Sequence, residues 1–111
     1  IEGLMMLTPF AADAQDDMTK TFVEKYVKVH GDTPDQFAAD GYDAVYTAKA
    51  AMEKAGKTPA DADFTKSLVD AMYEIQVTGL TGTMTWGQER EPNKAAKAMV
   101  FKDGVAVLFA E

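Results

Sequence analysis

A chain of 111 residues that is 47% hydrophobic and 26% charged has the length and composition of one small globular domain. Its formal net charge of −7 disfavours binding to nucleic-acid phosphates or to anionic lipid, so we predict no nucleic-acid partner. The lack of cysteine excludes disulfides, thiolate nucleophiles and cysteine-based zinc sites. The sequence starts at Ile1 without an initiator methionine, so we expect it to be a piece of a longer protein.

The first predicted elements are a strand and a helix. Glu2–Thr8 is a short apolar run closed by a Thr-Pro step, which indicates a buried strand that enters a loop. From Asp17 onward, apolar residues recur every three to four positions, which predicts a helix. The acids before this helix suit its N-cap, and Gly31 stands where the helix should end.

The segment GDTPDQFAADGYDAVYTAKAAMEKAG, from Gly31 to Gly56, predicts a second, alanine-rich helix. Thr33 and Gln36 have the spacing of a capping box, with Pro34 at the first helical position. Gly41 lowers helix stability by roughly 1 kcal/mol relative to alanine. We therefore expect Gly41 to permit the close approach of a neighbouring element.

The remaining chain predicts a third helix and more extended structure. The helix starts at Thr58-Pro59 or at Asp63, and Val77–Trp86 reads as an extended segment with bends. Two strands, Ala98–Lys102 and Val105–Phe109, flank an Asp-Gly turn and predict a hairpin. The predicted class is α/β, in the order β-α-α-α-β-β-β. Because the first strand has no parallel neighbour in this chain, we expect other chain segments to complete the sheet.

Few residues could carry chemistry. Asp13, Asp16 and Asp17 lack the spacing of a calcium loop, and we interpret them as acids at a helix N-terminus. Asp40 and Asp43, three residues apart on one helix face, could serve as acid and base. The alternative is that these two carboxylates are solvated or cap a neighbouring loop. No enzyme motif is present, so we predict no enzymatic activity, no cofactor and no metal site.

Two aromatic residues, Phe37 and Tyr42, stand near the start of the second helix. A ring beside the unpaired N–H groups of a helix N-terminus can cover an apolar or amphiphilic ligand. The alternative is a ring packed under the preceding loop. Composition and spacing leave both interpretations open.

The runs TPFAAD, GDTPDQFAADGYDAVYTAKAAMEKAG, VTGLTGTMTW and KAMVFKDG occur in this order along the chain. Together they resemble the C-terminal third of type I periplasmic solute-binding proteins, and most closely the branch of leucine, isoleucine and valine receptors of ABC importers. The similarity covers essentially the whole chain, although the loop GQEREPNK departs from the usual acidic, glycine-containing turn. The resemblance implies part of a two-lobed α/β clamshell that holds ligand between lobes joined by three crossing segments.

For this chain the resemblance implies one incomplete α/β unit over residues 1–111. Residues 1–10 would form a strand and hinge, residues 16–76 the helices of the first lobe, and residues 77–111 a crossing segment and terminal hairpin. A ligand contact is implied at Phe37, and Phe10, Gln36 and Tyr42 complete the set of candidate ligand-binding residues. The family's main contacts to the charged groups of an amino acid lie upstream of this chain, so the ligand stays unnamed.

The implied function is capture of an amino acid or similar small organic solute in the periplasm, or another extracytoplasmic space, for delivery to an ABC permease. Because the sheet edge and core would be incomplete, we expect this piece to self-associate as a dimer. Two alternatives stay open. One is a ligand-sensing domain of a signalling or regulatory protein with the same clamshell, and the other is an independent α/β interaction module.

Overall fold

The α/β class is confirmed by a computed structural model that describes residues 1–109. Its elements are β1 (Met5–Thr8), α1 (Asp17–His30), α2 (Gln36–Ala55), α3 (Phe64–Met72), β2 (Val77–Gly79), β3 (Gly82–Met84), β4 (Lys97–Lys102) and β5 (Val105–Leu108). This order has one strand more than predicted, because Val77–Trp86 forms the hairpin β2–β3 and not one bent strand.

The contacts divide the chain into two compact units. The first unit comprises Ile1–Asp40 and the chain from Ala95 onward, and the second comprises Gly41–Lys94. The division of the sequence into a hinge strand, first-lobe helices and a crossing segment with a hairpin stays a prediction.

Helix α1 has the ends that its sequence predicts. The Asp16 side chain accepts a hydrogen bond from the Thr19 backbone N–H at 3.0 Å, which satisfies one of the unpaired N–H groups of the first turn. At the other end, Gly31 is left-handed with φ 76°, and its N–H donates to the carbonyl of Val27. Local sequence therefore accounts for both ends of this helix.

Helix α2 starts two residues later than predicted, and the Thr33–Gln36 capping box is wrong. The side chain of Asp35 caps the helix instead, by accepting a hydrogen bond from the Ala38 N–H at 2.9 Å. Asp and Thr are both good N-cap residues, so the choice between them depends on where the chain turns. Gln36, freed from the capping role, bonds to a residue 28 positions earlier.

Gly41 does not permit a close approach within the described part of the chain. A methyl group at its Cα would meet no atom within 4 Å. The sequence-based expectation is therefore wrong for residues 1–109, and the glycine costs helix stability without a packing partner in this structure.

The three-stranded sheet of the first unit has the order β1-β4-β5, and both pairs are antiparallel. Strand β1 pairs with the terminal hairpin, since Met5 is opposite Val100 and Thr8 is opposite Lys97, and it has no parallel neighbour within the described residues, as expected. The predicted burial of β1 is wrong, because it is an edge strand on which Leu7 is 74% exposed. Sequence predicted the apolar character of β1 but not its neighbours.

The predicted Asp-Gly turn of the terminal hairpin is confirmed. Lys102 pairs with Val105, so Asp103 and Gly104 are the two central residues of the turn. Both have positive φ, 50° and 78°. Such a turn matches the right-handed twist of the strands, and Asp-Gly is among its favoured sequences.

A small apolar core holds the first unit together. Ala11, Ala14 and Met99 are buried in it, with Ala106 and Leu108 packed against them. The loop before α1 is also tied to the hairpin by a hydrogen bond, because the Asp13 carboxylate accepts the Leu108 N–H at 3.0 Å. This packing positions the loop after β1 beside the start of α2.

The second unit contains most of α2, the helix α3 and the hairpin β2–β3. Of the two predicted starts of α3, the one at Asp63 is confirmed. The buried apolar residues of this unit are Ala51, Ala71, Val77, Leu80 and Met84. None of the helices within residues 1–109 combines the length and apolar character that a bilayer span requires.

Candidate ligand-binding site

A cavity of about 370 Å³ lies in the first unit, where α2 begins. Its walls come from β1, β4, β5, the loop after β1 and the first turn of α2. Three of the four predicted ligand-binding residues, Phe10, Gln36 and Phe37, line this cavity. A cavity of this size is within the range that small-molecule ligands occupy.

Phe37 lies in the first turn of α2 with its ring largely in solvent. The residue is 72% exposed, so the ring is not packed under the preceding loop as the alternative interpretation required. Exposure of a large apolar side chain to water is unfavourable, so a contact that buries the ring would be stabilising. The exposed ring is thus available to a ligand in the cavity.

The Gln36 side chain is oriented by a short hydrogen bond. The Thr8 hydroxyl donates to Gln36 Oε1 at 2.6 Å and joins the end of β1 to the start of α2. Thr8 itself is buried, and its hydroxyl oxygen also accepts the Phe10 N–H at 3.4 Å. With its oxygen used in this way, Gln36 presents its side-chain NH₂ group as a hydrogen-bond donor.

Phe10 forms a wall of the cavity and is itself only 3% exposed. Its ring contacts Phe22 edge to face, with the centroids 6.1 Å apart, and Phe22 in turn contacts Tyr26 at 5.7 Å. Such aromatic packing fixes the ring. Phe10 therefore shapes the cavity more than it reaches into it.

Asp35 is the charged residue that lines the cavity within the described part of the chain. Its carboxylate accepts the Ala38 N–H, which holds one oxygen at the start of α2. An acid at this point adds negative charge beside the positive end of the helix dipole. The cavity thus combines an apolar surface with one carboxylate and one amide donor.

Tyr42 is not brought to this cavity. It lies in the second unit, where its ring contacts the ring of Tyr46 at a tilt of 42°, with the centroids 4.9 Å apart. The hydrogen bond with Tyr46 raises the pKa of the Tyr42 phenol, and burial adds to this effect. The role of Tyr42 as a ligand contact stays a prediction.

The acid-base interpretation of Asp40 and Asp43 is wrong for Asp43. Its carboxylate is 2% exposed and accepts hydrogen bonds from Leu80 and Thr81. The alternative, a cap on a neighbouring loop, is confirmed for this residue. Asp13 and Asp16 likewise bond to backbone N–H groups, and no three possible metal ligands converge within residues 1–109.

Eight of the residues that line the cavity were not predicted as ligand-binding residues, and four of these, Met6, Thr8, Met99 and Ala106, lie on strands. Thr8 could have been suggested by its sequence position, since it ends the first strand directly before a proline. The other three come together only because β1 pairs with β4 and β4 with β5. No local pattern encodes that pairing, so no local pattern could have placed them.

Solved structures of receptors from ABC transporters share this fold. A leucine-binding protein from Thermotoga maritima is 26% identical, with a TM-score of 0.78 over 99% of this chain and 31% of its own. A substrate-binding protein from Desulfitobacterium hafniense, in complex with Leu, is 25% identical, with a TM-score of 0.82 over 97% of this chain and 31% of its own. A solute-binding protein from Rhodopseudomonas palustris, in complex with 3,4-dihydroxybenzoic acid, is 27% identical, with a TM-score of 0.78 over 98% of this chain and 30% of its own.

The chain spans less than one third of the length of each of these structures. No curated protein sequence matches it. The sequence profile of one family, described as periplasmic binding protein, matches residues 1–104. Since this match covers nearly the whole chain and agrees with the fold, the chain belongs to the periplasmic binding protein family.

Proposed function

We propose that the chain is the C-terminal part of an extracytoplasmic receptor that captures a small organic solute and delivers it to an ABC permease. Its role in this proposal is binding and not catalysis. The cavity at the start of α2 forms one side of the ligand site, with Phe37 and Gln36 in contact with the solute. The rest of the receptor supplies the other side and closes on the ligand by domain movement.

The exposed ring of Phe37 at the cavity carries this proposal. The ring is 72% exposed although it lines the cavity, so an apolar ligand group would remove it from water. Beside it, the NH₂ group of Gln36 is directed by the bond that Thr8 makes to the amide oxygen. A solute with an apolar body and a hydrogen-bond acceptor suits these two groups.

The ligands of the similar receptors support a solute of this class. One receptor is solved with Leu and another with 3,4-dihydroxybenzoic acid. Both ligands combine a compact carbon skeleton with a carboxylate, and either skeleton can pack on a phenyl ring. We propose a branched-chain amino acid as the solute, and an apolar ring together with an acid, Asp35, that suits an ammonium group supports this choice.

Isothermal titration calorimetry on the intact gene product tests the proposal. The panel contains leucine, isoleucine, valine, benzoate and 3,4-dihydroxybenzoate. We expect saturable binding of at least one branched-chain amino acid, and Phe37→Ala should weaken it about tenfold or more. Val29→Ala is the matched control, because Val29 is 75% exposed in the same unit but does not line the cavity. No binding across the panel, or unchanged affinity of Phe37→Ala, would contradict the proposal.

We also propose that the 111-residue chain self-associates through the free edge of β1. This strand lies at the edge of the sheet. Leu7 on the strand is 74% exposed, and Leu4, just before the strand, is 53% exposed. An exposed apolar edge strand pairs readily with another copy. Size-exclusion chromatography with light scattering should show a dimer, and Leu7→Lys should shift it to monomer. A wild-type monomer at every concentration would refute this dimer.

A further inference from the structure

The second unit carries a groove of about 210 Å³ that the proposed function does not use. One wall is formed by Val69 and Met72 of α3 and by Tyr73, the C-cap residue of that helix. The other wall comes from the loop after β3, which contributes Trp86 and Arg90. The groove therefore joins an apolar wall to the only tryptophan and the only arginine of the chain.

The loop after β3 holds these two residues in place by backbone contacts. Trp86 forms a β-bridge with Pro92, which closes the loop at its base. At its tip, the Arg90 N–H donates to the carbonyl of Gly87 at 3.0 Å, and Arg90 has φ 63°. An arginine rarely adopts this left-handed conformation, so the turn determines where its side chain leaves the backbone.

The charge of Arg90 is not used by the described part of the chain. All four ion pairs found within residues 1–109 involve lysines, and none of them includes Arg90. The neighbouring Glu89 has its carboxylate close to Gly87, on its own turn. Among residues 1–109, the Arg90 guanidinium is thus outside these ion pairs, and Arg90 lines the apolar groove.

We propose that this groove binds a small monocarboxylate with a compact apolar body. The guanidinium of Arg90 pairs with the carboxylate in a two-point hydrogen-bonded contact, which lysine could not reproduce. The body of the ligand packs on the indole of Trp86 and against Val69. The volume of about 210 Å³ admits one phenyl or branched aliphatic group.

This second site is independent of the cavity at the start of α2, because every residue that lines it belongs to the other unit. It needs no closure of two lobes and is present in the chain as it stands. Such a small, open groove supports weak binding, with a Kd on the order of 1 mM.

Fluorescence of the single tryptophan measures this binding directly. We would titrate the 111-residue chain with phenylacetate and with 4-methylpentanoate at constant ionic strength, and with phenylacetamide as the uncharged match. The acids should change Trp86 emission saturably, and the amide should bind about tenfold more weakly. Arg90→Gln should weaken acid binding to the level of the amide. Lys102→Gln, which removes the same charge from the other unit, should leave the titration unchanged.

Three outcomes would overturn the proposal. They are no saturable change in Trp86 emission, equal binding of acid and amide, and equal binding by wild type and Arg90→Gln. If Arg90→Gln does not fold, NMR chemical shifts of the wild type decide instead. Phenylacetate must then shift the amides of residues 69–73 and 86–90 before any others, and shifts confined to the first unit would place the acid in the α2 cavity.

Discussion

The carboxylate of Asp43 on α2 accepts two hydrogen bonds from Thr81, one from its backbone N–H at 2.8 Å and one from its hydroxyl at 2.6 Å. The second oxygen accepts the Leu80 N–H at 2.8 Å. Leu80 and Thr81 are the two residues between the paired Gly79 and Gly82, so they form the turn of the β2–β3 hairpin. A helix side chain thereby satisfies a turn whose backbone donors are buried.

Removing the Asp43 carboxylate should destabilise the chain strongly. Asp43→Ala leaves the buried N–H groups of Leu80 and Thr81 without an acceptor, and such donors cost roughly 1–3 kcal/mol each. Because part of the turn can relax toward water, we expect a loss of about 3–5 kcal/mol in the free energy of unfolding. Urea denaturation followed by circular dichroism measures it.

Glu53→Ala on the same helix is the control for Asp43→Ala. Glu53 pairs with Lys49 at the surface, where both side chains are more than half exposed, so its loss should change stability by about 0.5 kcal/mol or less. Equal stability of the Asp43 and Glu53 variants would show that the hairpin turn does not depend on the carboxylate.

The glycine at position 79 should be required by the same carboxylate. A methyl group on its Cα would overlap the Asp43 side chain. Gly79→Ala should therefore cost about 2–4 kcal/mol by displacing the carboxylate from its donors. In the Asp43→Ala background the same substitution should cost much less, because the overlapping group is gone. A double-mutant cycle measures this coupling, and strict additivity of the two changes would contradict the contact.

Sequence reasoning succeeded where a few adjacent residues determine the geometry. The left-handed Gly31 and the Asp103-Gly104 turn are local features, and the structure has both as predicted. It failed where two local solutions were about equal in energy. Thr33 and Asp35 can each cap a helix. In the structure α2 begins after Asp35, and Gln36 at that later start bonds to Thr8.

The candidate site was predictable in part for the same reason. Phe37 and Gln36 are neighbours in sequence, so a single helix start places both. Met6 and Met99 share the cavity only through the pairing of β1 with β4, more than 90 residues apart in the chain. Asp43 was ambiguous from sequence, because a carboxylate in the first turns of a helix can be solvated, catalytic or a cap. Only its position beside Thr81 decides between these roles.

Gly41 offers a test of what covers α2 outside the described residues. Its Cα faces open space in this structure, so Gly41→Ala should stabilise the 111-residue chain by about 0.5–1 kcal/mol through helix propensity. Gly31→Ala is the matched opposite, since its φ of 76° disfavours alanine and should cost about 1 kcal/mol. Thermal unfolding should show a higher melting temperature than wild type for Gly41→Ala and a lower one for Gly31→Ala.

The same glycine substitution in the intact gene product separates two explanations. If another segment packs closely on α2 there, Gly41→Ala should destabilise the longer protein while it stabilises the chain. Stabilisation of both would show that no element approaches Gly41, and the expected close contact would then be wrong in every context.

The N-cap of α1 should make stability depend on pH in acid. The hydrogen bond from the Thr19 N–H lowers the pKa of Asp16 below its ordinary value of 3.8, and burial opposes this only in part. Because the folded state favours the carboxylate, its contribution is present above pH 3.8 and is lost as the pH falls through the lower folded-state pKa. Asp16 is exposed, so this contribution is about 0.5 kcal/mol.

Asp16→Asn keeps a capping side chain but cannot titrate, so the stability difference between wild type and variant should shrink as the pH falls below 3.8. Urea unfolding of both proteins across that range measures it, and a difference that stays constant with pH would show that the Asp16 charge does not stabilise the helix.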